Sequence, residues 1–329
     1  METLVETELC FPQLLNSSCV KPKLPQFETM MTYVILSTIS VLTVFLNLLV
    51  IISISHFKQL HSPTNFLILS LAVSDFFVGL LTMLQTTLVE GCWFLGDLMC
   101  SLYHFVGYII TSTSVGAMIL ISIDRYVAIC DPMHYSIRVT QKRVKVCVCL
   151  CWICSVIFQS LNLNDVLYEP GRYNSCFGEC MYVINYIAGI VDVIFCFILP
   201  ITVIVVLYMR VFVVAVSQAR AMRSHIVTVT VQGSVKVTAK KSELKAARTL
   251  GIVVVVFLLC LCPYYCVALT GKDNLMNAYS AAFVICLYYF NACLNPLIYA
   301  LFYPWFRKSV KFIVTLKILQ PDSCEANIL

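Results

Sequence analysis

One acid stands where its surroundings suit only hydrocarbon. Asp192 lies in Tyr186-Ile-Ala-Gly-Ile-Val-Asp-Val-Ile-Phe-Cys-Phe-Ile-Leu-Pro200. An ionisable group at such a place costs roughly 2.5–3.5 kcal/mol on insertion scales, so it normally faces a cavity and meets a partner. No Lys or Arg occurs between Arg172 and Arg210, so its own segment cannot neutralise it. The chemistry implied is a carboxylate held ready for an external cation. Asp75, in Leu71-Ala-Val-Ser-Asp75, is a second acid of the same kind. Catalysis has no comparable support, because the chain carries no nucleophile elbow and no phosphate loop. Nor do the cysteines form a metal set. Cys147, Cys149, Cys151 and Cys154 lie in an apolar run without His nearby, where Cys acts as a small hydrophobe.

These acids need elements that hold them in a membrane. Of 329 residues 60% are apolar and only 12% charged, where a soluble domain has about 25% charged residues. A bilayer core takes about 20 helical residues to cross. Seven apolar runs reach that length, near Met31–Ser55, Asn65–Val89, Leu98–Ala128, Val146–Asn164, Ile184–Val216, Ala246–Leu269 and Ala278–Leu301. Helix is forced on them, because open strands would leave backbone groups unsatisfied in lipid. The expected fold is an all-α seven-transmembrane bundle spanning 31–303, with an extracellular tail over 1–30.

Charge orients the bundle. With the N-terminus outside, the outer segments carry only Lys21, Lys23, Arg172 and Lys272, and the remaining Lys and Arg fall inside. That is a positive-inside distribution. The net charge of +5 then reports topology and anionic inner-leaflet lipid, and nucleic acid is not an expected partner. Cys10, Cys19, Cys92, Cys100, Cys176 and Cys180 face the oxidising side, where disulfides persist. The Asn16 glycosylation sequon lies on that side too. The loop from about Ser217 to Lys245 is expected to be irregular, its alternating Thr228–Val237 stretch included. After the seventh span, residues 304–329 open with an interfacial amphipathic helix that sets Phe306, Val310, Ile313 and Val314 against Arg307, Lys308 and Lys311.

Specific residues narrow the class. Asp124-Arg125-Tyr126 closes the third span and Asn295-Pro296-Leu-Ile-Tyr299 ends the seventh, with Asn47, Asp75, Trp152 and Pro200 in the first, second, fourth and fifth. This set resembles the rhodopsin-like (class A) G-protein-coupled receptors along essentially the whole chain. The run Asn291-Ala-Cys-Leu-Asn295-Pro296-Leu-Ile-Tyr299-Ala-Leu-Phe-Tyr303-Pro-Trp305-Phe306 is similar to the fingerprint of the trace amine-associated receptors, with Ala292 in place of their Ser. Cys176-Phe-Gly178-Glu-Cys180 is similar to their outer loop.

The resemblance implies roles. Asp75 with Ser114, Asn291 and Asn295 would form an allosteric sodium site; no other cofactor is implied. Arg125 would be held by Asp124 and Glu243, while Tyr208 and Tyr299 would turn inward in the open form that receives a heterotrimeric G protein. Cys100 would bridge to Cys180, and Cys176 to Cys19 or Cys10. Tyr108, Tyr264, Tyr265 and Tyr289, with Thr111 as a hydroxyl partner, match pocket positions, and aromatic faces attract a cation by about 0.5–2 kcal/mol each. Arrestin and a receptor kinase would be further partners.

Two departures carry more information than the matches. Amine receptors of this type have an Asp seven residues after the Cys that opens the third span, and here that residue is Gly107. The acid stands instead at Asp192, eight residues before Pro200, an arrangement resembling the fish olfactory branch. The expectation is a plasma-membrane olfactory receptor for small amines acting through a stimulatory G protein, and the competing one is a receptor for a non-amine odorant with Asp192 structural. Leu261, in Cys260-Leu261-Cys262-Pro263, occupies the family's usual Trp position. Pro263 is therefore expected to bend the sixth helix, with Phe257 repacking to carry the signal.

Overall fold

The structure is a computed structural model that describes residues 8–14, 16–21, 26–89, 92–181, 183–225, 249, 251–267 and 278–328. In chain order the helices are α1 (Gln26–His56), α2 (Pro63–Val89), α3 (Gly96–Cys130), α4 (Pro132–Arg138), α5 (Gln141–Asn162), α6 (Asn164–Tyr168) and α7 (Tyr186–Val193). A π-helical turn, Ile194–Ile198, joins α7 to α8 (Leu199–His225), and α9 (Gly251–Val267), α10 (Ala278–Phe302) and α11 (Pro304–Val314) follow. Six of these helical stretches are long and apolar enough to cross a bilayer, with α9 a shorter apolar one. α7, the π turn and α8 form one continuous span, so the bundle has seven.

Local chemistry sets the boundaries. Thr140 caps α5 by accepting from the Arg143 N–H, and Asn185 caps α7 by accepting from the Ile187 N–H at 3.1 Å. Pro132 and Pro304 open α4 and α11, where the missing N–H costs nothing. Pro296 inside α10 cannot bond the carbonyl four residues back. Asn47 of α1 supplies that donor instead, its Nδ2 lying 3.0 Å from the Ala292 oxygen. The π turn sits between Asp192 and Pro200 and re-phases the helix at the cavity wall, a common place for such bulges.

α3 is the central strut, packed against α2, α5 and α8, while α1 packs on α2 and α10. α1 and α2 approach closely at Gly79, whose carbonyl accepts from Ser40 Oγ at 2.6 Å. A Cβ there would stand 2.8 Å from Val44 Cγ2 and 3.0 Å from the Val44 backbone N. Small residues permit such approach in membrane bundles. Gly79→Ala is therefore expected to cost about 1–3 kcal/mol by overpacking, read as a lower melting temperature and less receptor at the surface; unchanged values for both would refute this account of the contact.

The inner side differs from expectation in two places. α8 runs on to His225, so the loop expected from Ser217 begins as helix; Thr228–Val237 lies outside the described residues. In α11, Phe306 is buried and Val310 and Ile313 pack on the core, with Arg307, Lys308 and Lys311 exposed, but Val314 is exposed too, which narrows the apolar face. Beyond α11 the chain folds back on the end of α1. Lys58 pairs with Glu325 at 3.0 Å, His56 Nε2 meets Ser323 Oγ at 2.9 Å, and Ile328 is buried in the core.

Candidate functional site

Asp192 opens onto a cavity of about 240 Å³ in the outer half of the bundle. α3 contributes Tyr103, His104, Gly107, Tyr108, Thr111 and Ser112, α5 contributes Gln159, and α9 contributes Tyr264 and Tyr265. Ile285, Tyr288 and Tyr289 of α10 close one side, with Val78 and Leu81 of α2 and Cys196 of the π turn completing the wall. All six residues expected to hold a ligand (Asp192, Tyr108, Thr111, Tyr264, Tyr265 and Tyr289) line this one space. Gly107 leaves room beside it, since a Cβ there would meet only Leu81 Cδ1, at 3.8 Å.

Asp192 is 5% exposed, and its Oδ1 accepts from Gln159 Nε2 at 3.0 Å. Among the described residues no Lys or Arg forms an ion pair with it. The walls are a chain of aromatic rings. Tyr265 stacks on Phe197 with centroids 4.4 Å apart, Tyr264 lies 4.9 Å from Tyr288, and Tyr288 lies 5.2 Å from Tyr289. Tyr289 shares a hydrogen bond of 3.1 Å with Tyr103. Thr111 donates to the Gly107 carbonyl at 2.9 Å, which leaves its oxygen to accept from the Tyr288 hydroxyl.

Gln159, His104, Cys196 and Tyr288 are site residues that the sequence reading missed. Gln159 carried a usable signal, because a carboxamide in an apolar span must find a polar neighbour. Tyr288 and His104 carried none, since nothing in their spacing separates them from ordinary interhelical packing.

A smaller cavity of about 20 Å³ lies next to the first and shares Val78, Thr111 and Tyr288 with it. Asp75, Ser114, Asn291, Phe257 and Leu261 also line it. Asn295 donates to Asp75 Oδ2 at 2.8 Å and Ser114 donates to Ser74 at 2.9 Å. The Oδ1 atoms of Asn291 and Asn295 are buried without a hydrogen-bond partner. The carboxylate of Asp75, the hydroxyl of Ser114 and the unmet Asn291 oxygen border this cavity and fit a hard cation, which prefers oxygen ligands; Asn295 does not line it and reaches it only through Asp75.

At the inner end, Arg125 Nε donates to Asp124 Oδ2 at 2.9 Å, and its Nη2 bonds both that oxygen and Thr64 Oγ1. Tyr135 of α4 donates to Asp124 Oδ1 and Thr64 to Oδ2, both at 2.9 Å. Thr64 and Tyr135 were not foreseen. Glu243 lies outside the described residues. Tyr126 packs beside Ile129 and Val211, and the hydroxyls of Tyr208 and Tyr299 are buried without a hydrogen-bond partner.

On the outer side the structure joins Cys100 to Cys180, Cys19 to Cys176, and Cys10 to Cys92. Cys10, one of the two partners considered for Cys176, thus pairs elsewhere. The tail runs along the outer loop, with Cys19 N–H donating to the Phe177 carbonyl at 2.9 Å and Phe177 N–H to the Ser17 carbonyl at 2.7 Å. Asn16 is exposed in that tail. Glu179 is occupied: the hydroxyl and N–H of Ser175 both donate to it at 2.7 Å and hold its carboxyl below the ordinary range.

A seven-helix membrane bundle with a buried, aromatic-walled acid above an Asp-Arg-Tyr inner end is the architecture of a receptor. The family model described as 7 transmembrane receptor (rhodopsin family) matches residues 46–299. Trace amine-associated receptor 6 of Pan troglodytes is 36% identical over 337 residues, covering 99% of this chain and 96% of its own length. Trace amine-associated receptor 13c of Danio rerio is 37% identical over 341 residues, with 98% and 96% covered. Trace amine-associated receptor 9 of Rattus norvegicus is 39% identical over 334 residues, with 98% and 97% covered. The chain belongs to the rhodopsin family of seven-transmembrane receptors, among the trace amine-associated receptors. It is a multi-pass, G-protein-coupled receptor and not an enzyme.

Proposed function

We propose that this receptor binds small amines, with the ligand ammonium paired to Asp192 and its carbon skeleton against Tyr108, Tyr264, Tyr265 and Tyr289. One observation carries the reading: a buried carboxylate without a cationic partner among the described residues faces a tyrosine-lined cavity. A cation in that space would meet opposite charge at low dielectric and several ring faces at once. The relatives' names point the same way. Gly107 with Asp192, resembling the fish olfactory branch, makes odour detection the proposed setting. The receptor would sit in the plasma membrane with its N-terminus outside, its disulfides and Asn16 on that face and most of its Lys and Arg inside. It would act through a stimulatory G protein, with arrestin and a receptor kinase as further partners.

Opening of the inner face would separate Arg125 from its acidic partners, with Glu243 the second of them. Sodium, if held by Asp75, Ser114, Asn291 and Asn295, would supply the positive charge that the buried carboxylate lacks.

The test is a cAMP readout in cells expressing the chain, against primary mono- and diamines. A concentration-dependent rise to at least one amine is expected. Silence across the panel, with receptor verified at the surface, would reject the reading. The Gln159–Asp192 hydrogen bond favours a second reading, in which Asp192 is structural and the ligand is a non-amine odorant.

A further inference from the structure

Gln159 is fully buried, lines the ligand cavity, and donates from Nε2 to Asp192 Oδ1 at 3.0 Å. A carboxylate accepts and cannot donate, so this bond fixes which end of the carboxamide faces Asp192. The other end, Oε1, is buried and has no hydrogen-bond partner. Buried carbonyl oxygens are rarely left unmet, because their desolvation is then uncompensated. The carboxamide borders the ligand cavity beside Asp192, so an ammonium seated against that carboxylate is the donor within reach of it. Cys196 does not fill the role: its sulfur lies 3.7 Å from Nε2, on the donor side of the amide.

We propose that Gln159 is a second ligand-binding acceptor, so that the site recognises ammonium ions able to donate at least two N–H bonds, one to Asp192 and one to Gln159 Oε1. This rests on the amine reading above and sharpens it. Primary and secondary ammonium ions carry three and two N–H donors, tertiary ones carry a single donor, and quaternary ones carry none. Affinity should therefore fall between the secondary and the tertiary amine. A site built from charge and aromatic faces alone would show no such step, because all four ions bear the same charge.

The experiment uses the N-methylation series of 2-phenylethylamine and of hexylamine, from primary amine to trimethylammonium, on the full chain. Potency is read by cAMP and binding by ligand-induced thermal stabilisation. Wild type should lose roughly ten- to hundredfold between the secondary and tertiary amine, the worth of a hydrogen bond to a charged group. Gln159→Met, which keeps the volume, should weaken the primary and secondary amines by a similar factor and leave the tertiary amine within about twofold, erasing the step. Gln159→Leu serves as the second variant if the first is poorly expressed. Should Gln159 only orient Asp192, every member including the trimethylammonium ion would weaken together, and the proposal falls. A wild-type series without the step would overturn it equally. Failure of the amine reading looks different: Asp192→Asn would leave all members unchanged, or neither series would act on wild type.

Discussion

Asp192→Asn is expected to lower amine potency by two to three powers of ten while leaving the receptor at the surface. The substitution is nearly isosteric, and an Asn oxygen can still accept from Gln159 Nε2, so this side-chain tie between α5 and α7 survives. What disappears is the charge. Removing one member of a buried ion pair typically costs about 3–5 kcal/mol, and each 1.4 kcal/mol is tenfold in affinity. Concentration–response curves for wild type and variant, normalised to surface expression, measure the effect. Unchanged potency would give the site to the competing reading, in which Gln159 and Asp192 form a structural bond between helices. Gly107→Asp on the Asp192→Asn background is a further check of geometry: the space beside Gly107 admits a side chain, and partial recovery of amine potency would show that the cavity accepts the charge from either helix.

The sequence exposed the acids better than their surroundings. Asp192 and Asp75 could be read because a charge in an apolar span violates the composition around it. The seven spans could be read for the same reason, from length and apolarity. Gln159 was harder, because the α5–α7 contact that gives it meaning joins residues 33 apart in sequence. The π turn at Ile194–Ile198 leaves no mark in an unbroken apolar run. Cys10 and Cys92 could not be paired from spacing, since six outer cysteines admit fifteen connectivities. The packing of Ser323, Glu325 and Ile328 on the end of α1 was invisible too, because a polar tail of mixed composition has no periodicity to betray a contact.

Phe257→Ala is expected to leave amine binding within a few-fold of wild type and to remove most of the signal. Phe257, Leu261 and Tyr265 follow one another at intervals of four residues, so they lie along one face of α9. Tyr265 borders the ligand cavity, while Leu261 and Phe257 border the smaller cavity next to it. Thr111 and Tyr288, hydrogen-bonded to each other, and Val78 line both. A ligand that pushes on Tyr288 therefore acts on atoms already in the layer that holds Phe257, and one that pushes on Tyr265 acts on the same face of α9 two turns away. Leu261, buried in the usual Trp position, has no indole to turn, which leaves Phe257 as the large ring able to repack against Val115. Coupling between two sites is typically about 1–3 kcal/mol, or roughly 5–150-fold in the active population; loss of the ring should forfeit most of it. Ala also empties a packed site at about 3–5 kcal/mol, so Phe257→Leu, which keeps more volume, separates lost packing from lost signalling. Binding and surface amount at wild-type levels with a depressed maximal cAMP response in both variants would support this route through α9. Normal signalling by Phe257→Ala would place the path elsewhere, with the Thr111–Tyr288 bridge between α3 and α10 the next element to break.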